Sequence, residues 1–256
     1  MRDLIRNAMA MLRSGRLVAL HLVGNAVLLT AAVLWLLIGE AHVTQLVFAV
    51  AAGLAILFLL LWLHSGTFAY SANPQPENFR AAFKPSFLRM LWLLLGSAIL
   101  FWMMWQVSDW KDQEWQIGGY LYAKAPAALH PTRGVAVYYT WVDRAINFIF
   151  WYLTPGLLLP LIASRLLGAP ILSWLKTLIQ WRYWLSLAIT TIVGVWCSEL
   201  LLFWSPGKKL GAQTASLGLR VAAVYVLATA AWLATVGLLS YFVRRSSEKV
   251  SGKTAS

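Results

Sequence analysis

Long apolar runs alternate along this chain with short segments in which polar residues recur, and the alternation sets the expected elements. A helix that crosses a bilayer needs about 20 mostly apolar residues. Six runs meet that requirement, at roughly 17–39, 43–64, 87–107, 143–166, 183–204 and 218–243. The first follows a basic N-terminus, as the apolar core of a signal peptide does. It is too long for such a core and lacks a small-residue cleavage site before its Trp35-Leu36-Leu37 end, so it is expected to be retained.

Shorter segments with helical periodicity precede every second run. In the first, Leu4, Ile5, Ala8, Met9 and Leu12 share one predicted face, with Arg2, Arg6 and Arg13 off it. Before span 5, Ile171, Leu172, Trp174, Leu175, Leu178 and Ile179 form the apolar set against Ser173, Lys176, Thr177 and Gln180, and Pro170 suits a first helical position. The copy before span 3 is shorter, with Phe79, Ala82 and Phe83 in phase until Pro85 interrupts. Such helices lie in the headgroup plane and turn basic faces to anionic lipid. The expected fold is therefore all-α: a polytopic integral membrane protein of about six transmembrane helices, with short amphipathic interfacial helices before spans 1, 3 and 5. These elements form one transmembrane domain over residues 1–245.

The chain thus reads as three units, each an interfacial helix followed by a membrane hairpin, with little residue identity between them. Residues 65–78 form a turn in which Pro74 and Pro76 impose extended backbone. An outer loop, residues 108–142, is rich in aromatics and expected to pack on the membrane surface or a partner. The tail, 246–256, is expected to be disordered.

The interfacial helices lead into their spans through basic or aromatic steps: Arg13 to Arg16, Lys84-Pro85-Ser86-Phe87-Leu88-Arg89, and Trp181-Arg182-Tyr183-Trp184. In this the chain resembles a group of bacterial polytopic proteins. The group includes the YciC-like proteins and the non-catalytic membrane domain found beside some glycerophosphodiester phosphodiesterases. The resemblance covers most of the chain as a pattern of elements. It implies a membrane protein without catalytic residues of its own, and it assigns no role to any residue.

Composition strengthens the membrane assignment. Hydrophobic residues make up 60% of the 256 and charged residues 12%, with a mean hydropathy of +0.68; soluble domains carry about a quarter charged residues. Fifteen Trp and nine Tyr suit the two membrane–water interfaces. Cys197 is the only cysteine, so no intramolecular disulfide can form.

The net charge of +12 reads as topology, because basic residues collect in cytoplasmic loops. No basic stripe interleaves with aromatics, so nucleic acid is not an expected partner. Fourteen of the 21 Lys and Arg fall on the side that carries the N-terminus. Six of the nine acids, Glu40, Asp109, Asp112, Glu114, Asp143 and Glu199, fall on the other. Both termini are therefore expected in the cytoplasm, with the protein multi-pass in the cell (inner or plasma) membrane. The expected partners are the bilayer, its anionic headgroups on the cytoplasmic face, and other membrane subunits.

Candidate chemistry is sparse. Asp109, Asp112 and His130 on the outer side carry metal-ligating groups, but without the HExxH or CxxC spacing of an established site. His21 and His64 fall at similar depth in an antiparallel hairpin, which suits axial ligation of a haem or chlorin; the competing account is a pair of interfacial histidines wetted by headgroups. Glu199 is the acid placed furthest into the bilayer, with Lys208, Arg220 or Arg144 as pairing candidates. The fourth span opens with Asp143 and Arg144 and is interrupted by Pro155 and Pro160. These remove the amides that would bond to the carbonyls of Trp151 and Gly156, giving either a packed kink or an unwound stretch lining a cavity. No P-loop, nucleophile elbow or dinucleotide fingerprint is present, so no catalytic residue or cofactor is expected. The sequence favours a non-catalytic membrane protein: a subunit, scaffold or assembly component of a membrane complex. The alternative is a small permease or channel using the fourth span and Glu199. A membrane-embedded enzyme acting on lipid is third.

Overall fold

Apolar segments without interior breaks satisfy every backbone amide within themselves, and in lipid that requirement selects helices. A computed structural model describes residues 2–39, 42–126, 130, 134–204, 210–250 and 252, and among these there is helix and no strand. The elements are α1 (Arg2–Arg13), α2 (Gly15–Leu36), α3 (Val43–Ala72), α4 (Phe79–Ala82), α5 (Phe87–Asp112), α6 (Glu114–Lys124), α7 (Ala136–Phe148), α8 (Thr154–Leu166), α9 (Leu172–Leu178), α10 (Trp181–Thr191), α11 (Cys197–Phe203) and α12 (Leu210–Val250). One π-turn, Ile149–Leu153, joins α7 to α8, and another, Ile192–Trp196, joins α10 to α11. Six helical runs are long and apolar enough to cross a membrane: Gly15–Leu36, Val43–Ala72, Phe87–Asp112, Ala136–Leu166, Trp181–Phe203 and Gln213–Val250. The chain is an all-α, multi-pass membrane protein.

Several helices outrun the apolar segments that announced them, because leaving lipid does not end a helix. α3 has 30 residues and α12 has 41; at 1.5 Å per residue they are about 45 and 62 Å long, well beyond a hydrocarbon core of about 30 Å. The expected outer loop is likewise helical over most of its length, as the end of α5, α6 and the start of α7. The tail expected to be disordered from residue 246 is still helical through Val250, and Ser246 is fully buried.

The chain divides into two compact units, one built from residues 1–94 and 160–256, the other from 95–159. The threefold pattern is thus not carried into the packing: the first and third hairpins share a unit, whereas most of the middle hairpin belongs to the other.

In the first unit α12 is the spine. Its buried residues, among them Leu233, Val236, Leu239, Phe242 and Val243, recur at three- and four-residue intervals, the spacing of a single helical face. α1 lies against it at Gly237. An added Cβ there would sit 3.0 Å from Met11 Cγ, 3.1 Å from Ala8 Cα and 3.2 Å from the Asn7 carbonyl oxygen, so any side chain at this position presses on α1. Asn7 Nδ2 donates to the Gly237 carbonyl at 2.5 Å. The inward face of α1 is therefore Leu4, Asn7, Ala8 and Met11, while Ile5 and Met9 are exposed. This is rotated from the predicted face because an asparagine is needed at the crossing. α1 therefore meets α12 in the last third of that helix.

α3 brings a chain of hydroxyls to the same stretch of α12. Ser71 Oγ donates to the Phe68 carbonyl at 2.6 Å, so in its short contact with Ser240 it must accept. Arg244 donates to the Ala72 carbonyl, which ends α3, and to Asn7 Oδ1 at 3.3 Å. At the opposite end of the α2–α3 hairpin, the Trp35 indole donates to the Ala49 carbonyl at 2.7 Å, over Gly53. α8 ends in a glycine cap: Gly168 has φ +66°, and the Ala169 amide returns to the Ser164 carbonyl at 2.9 Å.

In the second unit, Val107 of α5 packs on Val142 and Ile146 of α7, with Ile117 of α6 alongside. α6 and α7 cross at Gly118, where an added Cβ would meet Tyr139 Cδ1 at 2.2 Å.

The crossing at Gly237 yields a stability prediction. Gly237→Leu should lower the thermal midpoint of the detergent-solubilised protein by an amount equivalent to about 1–3 kcal/mol of overpacking. Gly218→Ala on the same helix, where nothing lies within 4 Å of an added Cβ, should leave the midpoint unchanged or raise it.

Candidate functional site

Buried polar side chains are the natural place to look for function in a membrane protein, and in the first unit they collect where α2, α3 and α12 meet. His21 of α2 is fully buried. Its Nε2 lies 2.7 Å from Thr67 Oγ1 of α3. The Thr67 hydroxyl proton is already given to the Leu63 carbonyl at 2.7 Å, so the imidazole is the donor and carries its proton on Nε2. Nδ1 is then an acceptor, facing the Asn25 amide at 3.4 Å. Asn25 sits one turn further along α2, the spacing that brings side chains together on a helix. Tyr225 of α12 completes the junction by donating to the Leu22 carbonyl at 2.5 Å.

The rings continue the contact. The centroids of His21 and His64 are 5.5 Å apart, and Trp232 stands edge-on to His64 at 5.4 Å and to Phe68 at 6.1 Å. His64 Nδ1 and Trp232 Nε1 are buried without a hydrogen-bond partner among the described residues.

The hairpin thus brings the two histidines together, as their depth predicted. His21 is closed off by protein rather than wetted by headgroups. A macrocycle between the rings would displace the Thr67 and Asn25 hydrogen bonds and the packed indole. The pair is a polar latch among three helices.

Other candidates are dispersed. Glu199 on α11 is exposed and has no ion-pair partner among the described residues. Arg220, proposed to pair with it, instead closes the end of α11: its guanidinium donates to the Leu202 carbonyl at 2.8 Å and to the Trp204 carbonyl. Lys208 lies outside the described residues, as does Glu40.

In the second unit Asp143 pairs with Lys111 of α5 at 3.5 Å, and the two are bridged by Asn147, which accepts from Lys111 at 3.3 Å and donates to Asp143 at 3.0 Å. Arg144 is exposed and takes no part in this bridge. Asp109 and Asp112 are exposed at the end of α5, whereas His130 stacks on Tyr122 with centroids 4.4 Å apart. Among the described residues no three His, Cys, Asp or Glu come together as a metal site.

Compared with protein-family models, with curated proteins and with solved structures, the chain matches none. The resemblance noted from the sequence therefore rests on the pattern of elements alone.

The interrupted fourth span is helical from Ala136 to Leu166. In the π-turn ahead of Pro155, Thr154 donates to the Ile149 carbonyl, five residues back. Slipping the ladder by one residue immediately before the missing proline amide is how a helix accommodates an interruption without unwinding. The proline kink is thus spread into a turn of wider helix, and Pro160 is carried inside α8. The second π-turn falls at Gly194, whose missing side chain lets the backbone close on Ala231 of α12, with 3.0 Å from an added Cβ to the alanine methyl. Sequence gave no warning of this turn, since a lone glycine in an apolar run is common in membrane helices.

The latch can be measured by a double-mutant cycle. His21→Ala and Thr67→Val should each destabilise the protein in detergent, and the pair should couple by about 0.5–1.5 kcal/mol. His130→Ala, whose ring stacks at an exposed position, should shift the midpoint far less than His21→Ala.

Proposed function

We propose that this chain is a non-catalytic membrane component, acting as a subunit, scaffold or assembly factor of a complex in the bacterial inner membrane, with both termini in the cytoplasm. The observation that carries the reading is where the polar side chains are committed. Asn7, His21, Thr67, Ser71, Thr177, Ser240 and Arg244 all bond to neighbouring helices and so serve the packing of α2, α3, α9 and α1 around one another and α12. A transport path needs such groups turned toward a cavity. Among the described residues, a pocket between α10 and α12, lined by residues that include Tyr183, Thr190 and Thr235, holds about 10 Å³, roughly the room one water needs. The continuous helix through Pro155 and Pro160 weighs against the permease reading in the same way. The excess of Lys and Arg on the terminal side supports the orientation.

Purification in mild detergent tests the proposal. A membrane protein partner recovered at fixed stoichiometry supports it. A monomer or homodimer whose thermal midpoint rises with one small solute overturns it in favour of a permease, and turnover of a labelled phospholipid overturns it in favour of an enzyme. Glu199→Gln should leave the partner stoichiometry unchanged.

A further inference from the structure

α9 is packed inside out by the standards of a water-soluble protein. Its fully buried residues are Ser173 and Thr177, while Leu172, Leu175 and Ile179 are exposed, the last by 84%. The polar face is held by α12 through a directed chain. Gln180 Nε2 donates to Ser246 Oγ at 2.8 Å, and Thr177 Oγ1 lies 3.0 Å from Ser246. Thr177 gives its own proton to the Ser173 carbonyl at 2.9 Å, so Ser246 is the donor to it. Lys176 Nζ donates to the Lys249 carbonyl at 3.2 Å. A helix resting on a membrane surface turns its polar face to water; this one has given that face to protein.

What covers the opposite face follows from its continuity with span 5. There Trp181, Leu185, Ile189, Ile192, Trp196 and Leu200 are exposed and form a stripe at intervals of three and four, of the kind a membrane span turns to lipid. Behind that stripe Tyr183 packs on Phe242 of α12, with ring centroids 5.8 Å apart, and Gly194 closes on Ala231. α9 and span 5 thus have the same helix at their backs, and both exposed stripes face away from it. Ser246, which holds α9, lies four residues beyond Phe242, which holds the start of span 5. That is about 6 Å along the axis, comparable with the thickness of the headgroup layer that borders the hydrocarbon. Lys176 and Arg182, both exposed, flank the stripe, and the Arg182 guanidinium lies 5.6 Å over the Trp181 ring.

We propose that α9 is a wedge seated between α12 and the phospholipids of the leaflet on the terminal side: its Leu172, Leu175 and Ile179 stripe lies against the acyl–headgroup boundary, and Lys176 and Arg182 take anionic headgroups. The assignment of that leaflet as cytoplasmic rests on the orientation given under Proposed function; the lipid contact does not.

Site-directed spin labels on the full chain test it in lipid nanodiscs. With Cys197→Ala as background, labels are placed at Leu172→Cys, Leu175→Cys or Ile179→Cys, with Leu185→Cys as the lipid reference and Gln75→Cys as the aqueous one. Collision with oxygen is compared with collision with a water-soluble nickel chelate. The stripe should give oxygen-to-nickel ratios several-fold above the aqueous reference and close to the lipid one. Ratios at the aqueous level overturn the wedge, and low accessibility to both reagents overturns it in favour of a protein-covered face. Phosphatidylglycerol discs should raise the ratio over phosphatidylcholine discs, and Lys176→Gln with Arg182→Gln should abolish that difference. A ratio indifferent to both changes overturns the headgroup assignment. A lipid-like Leu185→Cys signal in each sample verifies that the variant is folded. A reporter fused to the C-terminus reads the orientation separately, so an extracytoplasmic result there overturns the topology and leaves the lipid contact to its own measurement.

Discussion

The last third of α12 is the constraint on which the first unit depends. Inside a bilayer, apolar side chains gain nothing by leaving lipid for one another, so helices associate through close backbone approach and interhelical hydrogen bonds. α12 supplies both on different sides of one segment. Gly237 admits α1 to within contact of its backbone, Ser240 meets Ser71 of α3, and Ser246 meets Thr177 and Gln180 of α9. Arg244 joins two of these contacts by bonding both Asn7 and the last carbonyl of α3. Loss of Arg244 would leave the Asn7 Oδ1 and the Ala72 carbonyl without this donor, a cost that can exceed what each bond contributes.

The same logic accounts for the latch at His21. A histidine inside a membrane protein invites a catalytic or ligand-binding account. Here the bonds of His21 are accounted for locally: Thr67 has one proton and gives it to Leu63, the imidazole donates to the Thr67 oxygen, and the second ring nitrogen faces Asn25. Such an arrangement fixes the tautomer and the rotation of α2 against α3 at once. Two helices that would otherwise slide on apolar surfaces acquire a register, a use of buried polar groups that also holds in coiled coils.

Much of the fold was legible because hydropathy measures the property that membrane insertion selects. All six spans were found, together with the short helices before spans 1, 3 and 5. The ends of helices were not legible, since the apolar signal stops at the lipid boundary while the hydrogen-bond ladder of α3 and α12 continues past it. Nor was the packing direction of α1 and α9. An amphipathic pattern says which residues differ, not which face meets protein, and the inward faces were set by Asn7, Thr177 and Gln180 rather than by the apolar majority. The partner of Asp143 was not legible for a related reason. Asp143 and Arg144 are neighbours in sequence, but adjacent residues on a helix point about 100° apart, so Asp143 finds Lys111 and Asn147 instead.

If the chain is the membrane subunit proposed above, the packing of α9 limits where a partner could dock. A partner that docked on α12 near Ser246 would have to displace Thr177 and Gln180 from their hydrogen bonds, exposing hydroxyls that are now satisfied. A partner that docked on the stripe of span 5 would displace only lipid, from a face that includes Trp196 and Leu200. The second route leaves the internal network intact. It also costs little desolvation, because the displaced molecules are acyl chains. A subunit interface of the proposed kind would therefore fall on the exposed apolar surfaces of the spans, away from the hydroxyl-lined seams that hold the helices together.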